Sequence, residues 1–234
     1  MTKIPGPGSP RMIMEFSTPA ELAAALANYI AAALAARTAR DGQAALAVSG
    51  GQTPVHFFQA LAQKPLEWRN ITVTLVDDRW VPESSPRSNA ALVRGNLLRG
   101  PAAAARFLPL VNAAATPEAN RLTAEAALST LPLPFAAVVL GMGLDGHTAS
   151  FFPGGDRLDE ALAPTHGQRV ETMRAAAAVE PRITLTLPVL LQADCLALHI
   201  QGAAKRALLE NLAFDMPVSH VLSRQPAPDI FWCP

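Results

Sequence analysis

The sequence has little charge and no excess of either sign. Lys and Arg together number 19, Asp and Glu also number 19, and charged residues make up 16% of the 234 positions. A chain that is neutral overall has no general attraction for nucleic-acid phosphates or for anionic membranes. We therefore expect neither partner, and an anionic ligand would need a local cluster of cations and backbone amides.

Cysteine is scarce, and the hydrophobic runs are short. Cys195 and Cys233 lack the paired spacing of zinc ligands and are too few for a disulfide framework, which favours a reducing, cytoplasmic location. The longest apolar stretch, at 22–36, is shorter than the roughly 20 residues of a membrane-spanning helix. Residues 1–10 hold three prolines and two glycines and no apolar core of a secretory signal. We expect a flexible tail at 1–10 and a single domain at 11–234.

Short apolar runs alternate with segments that carry helix-start signals. The predicted strands are 44–48, 71–76, 136–140, 183–187 and 195–200, and the predicted helices are 18–40, 53–63, 88–98, 117–131 and 203–212. Parallel strands need long crossovers, so this alternation predicts an α/β fold with a doubly wound, mostly parallel sheet and helices on both faces. Ligands of such sheets bind beyond the carboxyl ends of the strands. Three polar or glycine-rich segments fall there, at 49–53, 77–89 and 141–153.

The first of these segments reads Ser49-Gly50-Gly51-Gln52-Thr53-Pro54. Its glycines let backbone amides approach an anion, and the predicted helix that follows directs its positive end towards the same point. The lysine that follows the last glycine of a nucleotide P-loop is missing, which favours a smaller phosphate ester. The alternative is a tight strand-to-helix turn in which Thr53 caps the helix.

The second segment places Asp77, Asp78 and Arg79 directly after a buried strand. A fixed guanidinium in a partly dry pocket stabilises a developing oxyanion far better than one in water, and Arg79 is the candidate for that role. The alternative is a surface ion pair between Asp and Arg, with Ser88 capping the next helix.

The third segment, 141–150, combines three glycines with Asp145 and His147. Histidine titrates near neutral pH, so His147 can take a proton from water and return it to a leaving oxygen, and Asp145 is a candidate for orienting its ring. The alternative is a buried structural histidine. The third glycine comes too early for a dinucleotide fingerprint, which disfavours NAD.

Other chemistry finds little support in the residue spacing. The histidines at 56, 166, 199 and 220 show no metal-binding spacing, so we expect no metal. The Gly-x-Ser-x-Gly elbow of serine hydrolases is missing, which leaves water as the nucleophile. Lys205 near a helix start and Arg182 before a strand are candidates for binding a phosphate at the sheet edge, although each alone is equally typical of a solvated terminus.

Taken in order, these segments resemble the 6-phosphogluconolactonase family, which is related in fold to the glucosamine-6-phosphate deaminases. Gly-Met-Gly-x-Asp-Gly-His-Thr-Ala-Ser at 141–150 is specific for that family, whereas Ser-Gly-Gly-x-Thr-Pro at 49–54 is shared with the deaminases. The likeness continues through 88–89, 152–154, 182–186 and Lys205. It implies a Rossmann-like fold of the sugar-phosphate isomerase/deaminase type.

The resemblance also implies a reaction, namely hydrolysis of 6-phospho-D-glucono-1,5-lactone to 6-phospho-D-gluconate in the oxidative pentose phosphate pathway, without a cofactor. It implies that His147 is the general base, that Arg79 stabilises the oxyanion and that Asp77 shapes the lactone site. The glycine loop, Lys205 and Arg182 would hold the 6-phosphate. The only partner we expect is this small sugar-phosphate lactone, bound to a monomer or a homodimer.

Two other functions stay open at this point. The deaminases resemble Asp-Glu-Tyr where this chain has Asp78-Arg79, and they carry a glutamate five residues after the histidine, where this chain has Phe152. Losing that acid argues against ring opening and proton shuttling. A non-catalytic sugar-phosphate sensor would keep the phosphate loop without the base. Asp78 also departs from the lactonases, which usually carry Glu there, and a shorter acid would move a hydrogen bond.

Overall fold

A computed structural model describes residues 2–4, 11–112, 114–213 and 215–234. The strands are β1 (Thr2–Ile4), β2 (Arg11–Glu15), β3 (Ala44–Val48), β4 (Ile71–Leu75), β5 (Asp77–Arg79), β6 (Arg106–Leu108), β7 (Ala137–Leu140), β8 (Val170–Met173), β9 (Arg182–Leu185), β10 (Cys195–Gln201) and β11 (Asp229–Cys233). The helices are α1 (Pro19–Asp41), α2 (Val55–Ala62), α3 (Asn89–Asn96), α4 (Pro117–Leu128), α5 (Leu158–Leu162), α6 (Leu187–Leu191), α7 (Ala203–Glu210) and α8 (Pro217–Leu222). Short 3-10 turns lie at Trp68–Asn70, Gly100–Ala104 and Thr165–Gly167.

The larger sheet has the strand order β1-β2-β11-β10-β7-β3-β4-β6, and all of its pairs except β1 with β2 are parallel. From β3 the chain moves outwards to β4 and β6, then returns to β7 and continues in the opposite direction to β10 and β11. Because crossovers between parallel strands are right-handed, this reversal puts helices on both faces. The predicted doubly wound, mostly parallel α/β fold is confirmed. Its order reverses between β3 and β7, where ligands of such sheets bind.

A second, smaller sheet has the antiparallel order β5-β9-β8. The chain passes from one sheet to the other at Val76, whose N–H donates to the carbonyl of Val48 at 3.0 Å while its carbonyl accepts from the N–H of Leu185 at 2.8 Å. The prediction that 183–187 joins the parallel strands is therefore wrong. A short apolar run indicates a buried strand but does not specify its pairing partner.

Helix α1 packs against the sheet and against α2. Its buried face includes Leu22, Leu26, Ile30 and Leu34, all fully enclosed in the hydrophobic core. The helix is long and apolar enough to span a membrane by length and mean hydropathy alone, with a window mean of 1.3. In this fold the same apolar residues instead cover strands β3, β10 and β11.

The N-terminal segment is described only in part. Thr2–Ile4 pairs in antiparallel register with residues 11–13, whereas residues 1 and 5–10 lie outside the described residues. The flexible tail at 1–10 and the single domain at 11–234 stay predictions. Six strands have no counterpart among the predicted ones: β1, β2, β5, β6, β8 and β11.

Candidate active site

One cavity of about 340 Å³ lies at the carboxyl ends of β3, β7 and β10. Of the predicted site residues, all but one line this cavity: Ser49, Gly50, Gly51, Thr53, Asp77, Arg79, His147, Arg182 and Lys205. The exception, Asp145, contacts His147. The fold thus brings together three segments that are far apart in sequence, as expected for a site at the reversal of strand order.

The loop after β7 holds the imidazole of His147 in a fixed position. The Nδ1 atom of His147 lies 2.5 Å from the Oδ1 atom of Asp145, and the same oxygen accepts from the backbone N–H of His147 at 3.2 Å. The N–H of Gly143 donates to the carbonyl of His147 at 2.8 Å, which closes the loop. A side chain at position 143 would collide with both functional groups, because a Cβ there would lie 2.2 Å from Nδ1. Glycine is required by this close approach.

The ring of His147 faces the cavity rather than the core. Its side chain is 32% exposed, and its ring centroid lies 4.5 Å from that of Phe152. The alternative of a buried structural histidine is therefore wrong. An apolar ring packed on the imidazole restricts its rotation without offering a second acid.

The two acidic residues that follow β4 are both buried but have different neighbours. The Oδ2 atom of Asp77 accepts from the Oγ of Ser150 at 2.6 Å and faces the cavity. Asp78 instead accepts from the backbone N–H groups of Arg79, Asn89 and Ala90 at 2.7 to 3.2 Å. Burial raises the pKa of Asp78 to about 6, against the opposing effect of these N–H donors. Because both carboxylates are buried, the alternative of a surface ion pair between Asp and Arg is wrong. The N-cap of α3 is Ser88, whose Oγ accepts from the N–H of Ala91 at 3.2 Å, so that part of the alternative is confirmed.

Arg79 and Arg182 are direct neighbours, because they pair across β5 and β9. The guanidinium of Arg79 donates to the carbonyl of Arg87 at 2.6 Å, and that of Arg182 lies over the ring of Phe152 at 5.3 Å from its centroid. Burial lowers the pKa of Arg182, yet a guanidinium keeps its charge in proteins. The Nε atoms of both arginines are buried and have no hydrogen-bond partner among the described residues, and both side chains line the cavity.

The glycine loop is fixed to both other segments. The Oγ of Ser49 accepts from the N–H of Gly141 at 3.1 Å. Gly50 packs against the buried side chain of Asn89, which donates to the carbonyl of Asp77 at 2.9 Å. Helix α2 begins only at Val55, so the alternative in which Thr53 caps this helix is wrong.

Lys205 enters the cavity from the first turn of α7, directly after β10. It is half-buried, and this burial lowers its pKa. Other residues that line the cavity were assigned no role from the sequence, among them Asn89, Phe152 and His199. A usable signal existed for His199, because it lies near the carboxyl end of a predicted strand.

Across the described ranges, no cluster of three or more His, Cys, Asp or Glu side chains could hold a metal ion. That the site works without a metal or another cofactor stays a prediction.

Comparison with known proteins gives consistent matches over almost the full chain. A family model described as glucosamine-6-phosphate isomerases/6-phosphogluconolactonase matches residues 17–232. A 6-phosphogluconolactonase of Rhizobium meliloti is 49% identical, over 94% of this chain and 97% of its own length. One from Mesorhizobium japonicum is 48% identical, over 92% of each chain. The crystal structure of a 6-phosphogluconolactonase from Shewanella baltica superposes with a TM-score of 0.92 at 37% identity, covering 96% of this chain and 98% of that one. On these matches, the chain belongs to the family of glucosamine-6-phosphate isomerases and 6-phosphogluconolactonases.

Proposed function

We propose that this chain hydrolyses 6-phospho-D-glucono-1,5-lactone to 6-phospho-D-gluconate, the lactonase step of the oxidative pentose phosphate pathway. The observation that carries the proposal is the pairing of His147 with Asp145 at 2.5 Å, on a cavity that also holds Arg79 and the glycine loop. Relatives that are 48% and 49% identical over nearly their whole length bear the name 6-phosphogluconolactonase, which supports the same reaction.

In the first step, His147 activates a water molecule. The carboxylate of Asp145 accepts from Nδ1–H, and this selects the tautomer whose Nε2 lone pair is free. As the water oxygen forms a bond to the lactone carbonyl carbon, its proton moves to Nε2. The carbonyl electron pair moves to the oxygen, and the guanidinium of Arg79 stabilises the resulting oxyanion.

In the second step, the tetrahedral intermediate collapses. The oxyanion reforms the carbonyl, the bond from that carbon to the ring oxygen breaks, and the proton on Nε2 passes to the ring oxygen as it becomes a hydroxyl group. His147 is thereby returned to its neutral form. The product acid ionises at neutral pH, so each turnover releases one proton to the solution.

The remaining site residues bind and orient the substrate. We assign the 6-phosphate to Lys205, Arg182 and the loop of Ser49, Gly50, Gly51 and Thr53, which combine cations with backbone amides. Asp77, held by Ser150, accepts hydrogen bonds from the lactone hydroxyl groups. The proposal includes a cytoplasmic monomer or homodimer that uses no metal or other cofactor and binds neither nucleic acid nor membrane.

Two alternatives are disfavoured by single observations. A deaminase needs an acid where Phe152 packs on the imidazole, so that ring replaces the proton-transferring group. A sensor has no use for a general base, yet His147 is held by Asp145 through two contacts, one to the ring and one to the backbone.

Proton release after the addition of fresh lactone, corrected for spontaneous hydrolysis, tests the proposal. We expect His147→Ala to lower kcat by about 100- to 10,000-fold, the range for a lost general base. His220→Ala is the control, because His220 is exposed on α8 and does not line the cavity. Unchanged turnover in folded His147→Ala would exclude the assigned role. Ammonia release from an amino-sugar phosphate would identify a deaminase, and binding without acceleration would identify a sensor.

A further inference from the structure

His199 is a polar residue on the inner wall of the cavity that the proposed reaction leaves unused. It lies near the end of β10 and is only 3% exposed, yet it lines the same cavity as Thr53 and Lys205. Leu198 pairs with Leu140 of β7, so His199 lies beside position 141, where the loop that carries His147 begins. His199 therefore lies at the floor of the cavity, which is formed by the carboxyl ends of the strands.

The imidazole of His199 is buried without a hydrogen bond from the protein. Neither Nδ1 nor Nε2 has a partner among the described residues. The aromatic neighbour is Phe57 of α2, whose ring centroid lies 6.2 Å away in an edge-on arrangement. A buried polar group that loses its hydrogen bonds to water and gains none in exchange is unfavourable, and an aliphatic side chain would fill this space without that cost. Packing alone therefore does not account for a histidine here.

Charge and protonation state indicate what the ring can bind. Burial, reinforced by the charge of Lys205, lowers the pKa of His199 to about 4. At neutral pH the ring is therefore uncharged, with one N–H donor and one acceptor nitrogen. Lys205 and His199 line the same cavity, so the ammonium group and the imidazole border the space that one ligand would occupy. A neutral N–H donor beside an ammonium group suits a phosphoryl oxygen, which accepts short, strong hydrogen bonds.

We infer that His199 is a specificity-determining residue, which donates a ring N–H to the phosphoryl group of the substrate from the floor of the cavity beside Lys205. This inference rests on the proposed function, because it takes the substrate to be a phosphate ester. It gives the phosphate site a deep donor in addition to the glycine loop. A sugar lactone without phosphate would leave this donor buried and unpaired, so His199 favours the phosphorylated substrate.

Calorimetric titration with three stable probes tests the inference: 6-phosphogluconate, inorganic phosphate and gluconate. His199→Leu removes both ring nitrogens, and His199→Gln keeps an amide N–H donor. We expect His199→Leu to raise Kd for 6-phosphogluconate and for phosphate by about 10- to 100-fold, as for a hydrogen bond to a charged group. Gluconate should bind both proteins equally, and His199→Gln should recover much of the lost affinity. Without ligand, His199→Leu should melt at or above the wild-type temperature, because the buried unpaired group is gone.

The possible outcomes separate the two proposals. If the wild-type chain binds 6-phosphogluconate no better than gluconate, the assumption that the substrate is a phosphate ester is wrong and the proposed function fails. If the wild type prefers 6-phosphogluconate and His199→Leu keeps that preference, only the inference about His199 is overturned. Equal weakening for gluconate and 6-phosphogluconate would mean a role in cavity shape and would also overturn it. Should His199→Leu not fold, His199→Phe supplies an apolar ring, and the same criteria apply.

Discussion

Substitution of Gly143 by alanine tests whether the pairing of His147 with Asp145 controls the chemistry. A Cβ at position 143 would lie 2.2 Å from Nδ1 of His147 and 2.4 Å from Oδ1 of Asp145, where ordinary contacts begin at 3.4 Å. To reach ordinary contact, the imidazole would therefore have to move by about 1.2 Å and the carboxylate by about 1.0 Å away from the added methyl group. Such a displacement breaks their hydrogen bond while leaving both side chains in the protein.

The expected loss follows from this displacement. A misplacement of about 1 Å can cost roughly 100-fold in rate. We therefore expect Gly143→Ala to lower kcat for lactone hydrolysis by about 100-fold or more, with a smaller effect on KM, because the proposed phosphate ligands lie on other segments. In a His147→Ala background the same substitution should have little further effect, because the group that it displaces is already missing.

Proton-release kinetics measure the effect, and thermal unfolding monitors the fold. Gly95→Ala is a matched control, because Gly95 lies within α3 and an added Cβ would meet nothing within 4 Å. Alanine is a better helix former than glycine by about 1 kcal/mol, so this control should keep its activity and melt no lower than the wild type. A folded Gly143→Ala with wild-type kcat would refute the reasoning.

Three other substitutions follow from the same geometry. Asp145→Asn keeps the shape of the side chain but loses its charge, and should lower kcat by about 10- to 100-fold with KM nearly unchanged, as for other orienting partners; a larger change in KM would assign Asp145 to binding. Lys205→Ala should raise KM more than it lowers kcat, since a phosphate contact is similar in the ground and transition states; the opposite pattern would assign Lys205 to the chemistry. Gly50→Ala should destabilise the fold by about 1–3 kcal/mol in denaturant titrations, because an added Cβ would lie 1.9 Å from the buried amide oxygen of Asn89; wild-type stability would show that Asn89 moves aside freely.

The positions of several parallel strands were predictable from the sequence. Ala44–Val48 and Cys195–Gln201 lie where the apolar runs predicted strands, because strands buried on both faces consist of nearly continuous apolar residues. For the strand predicted at 183–187, the neighbouring strands with which it pairs were not predictable. Only Val76 lies between β4 and Asp77–Arg79, so the local sequence does not indicate that the chain passes from one sheet to the other there. Thr184 then pairs with Asp77 across more than 100 positions, and single-residue patterns carry no such information.

The candidate site was predictable where glycine and charge occur together. The segment 141–150 combines three glycines, an acid and a histidine, and its geometry follows from the close approach at Gly143. Asn89 and His199 illustrate the limit. Asn89 lies in an ordinary helix, and the position of His199 near the end of a predicted strand indicates only a place close to the site. Which distant residues each of them meets is decided by the fold.

The position of Val76 has a consequence for how the reaction proceeds. Its N–H bonds to one sheet and its carbonyl to the other, so a single residue joins the wall that carries Arg79 to the wall that carries Ser49. Groups fixed in this way need no domain closure to reach each other. In the proposed reaction, the dipoles that meet the developing charge would therefore be oriented before substrate arrives, and reorganisation would add little to the activation barrier.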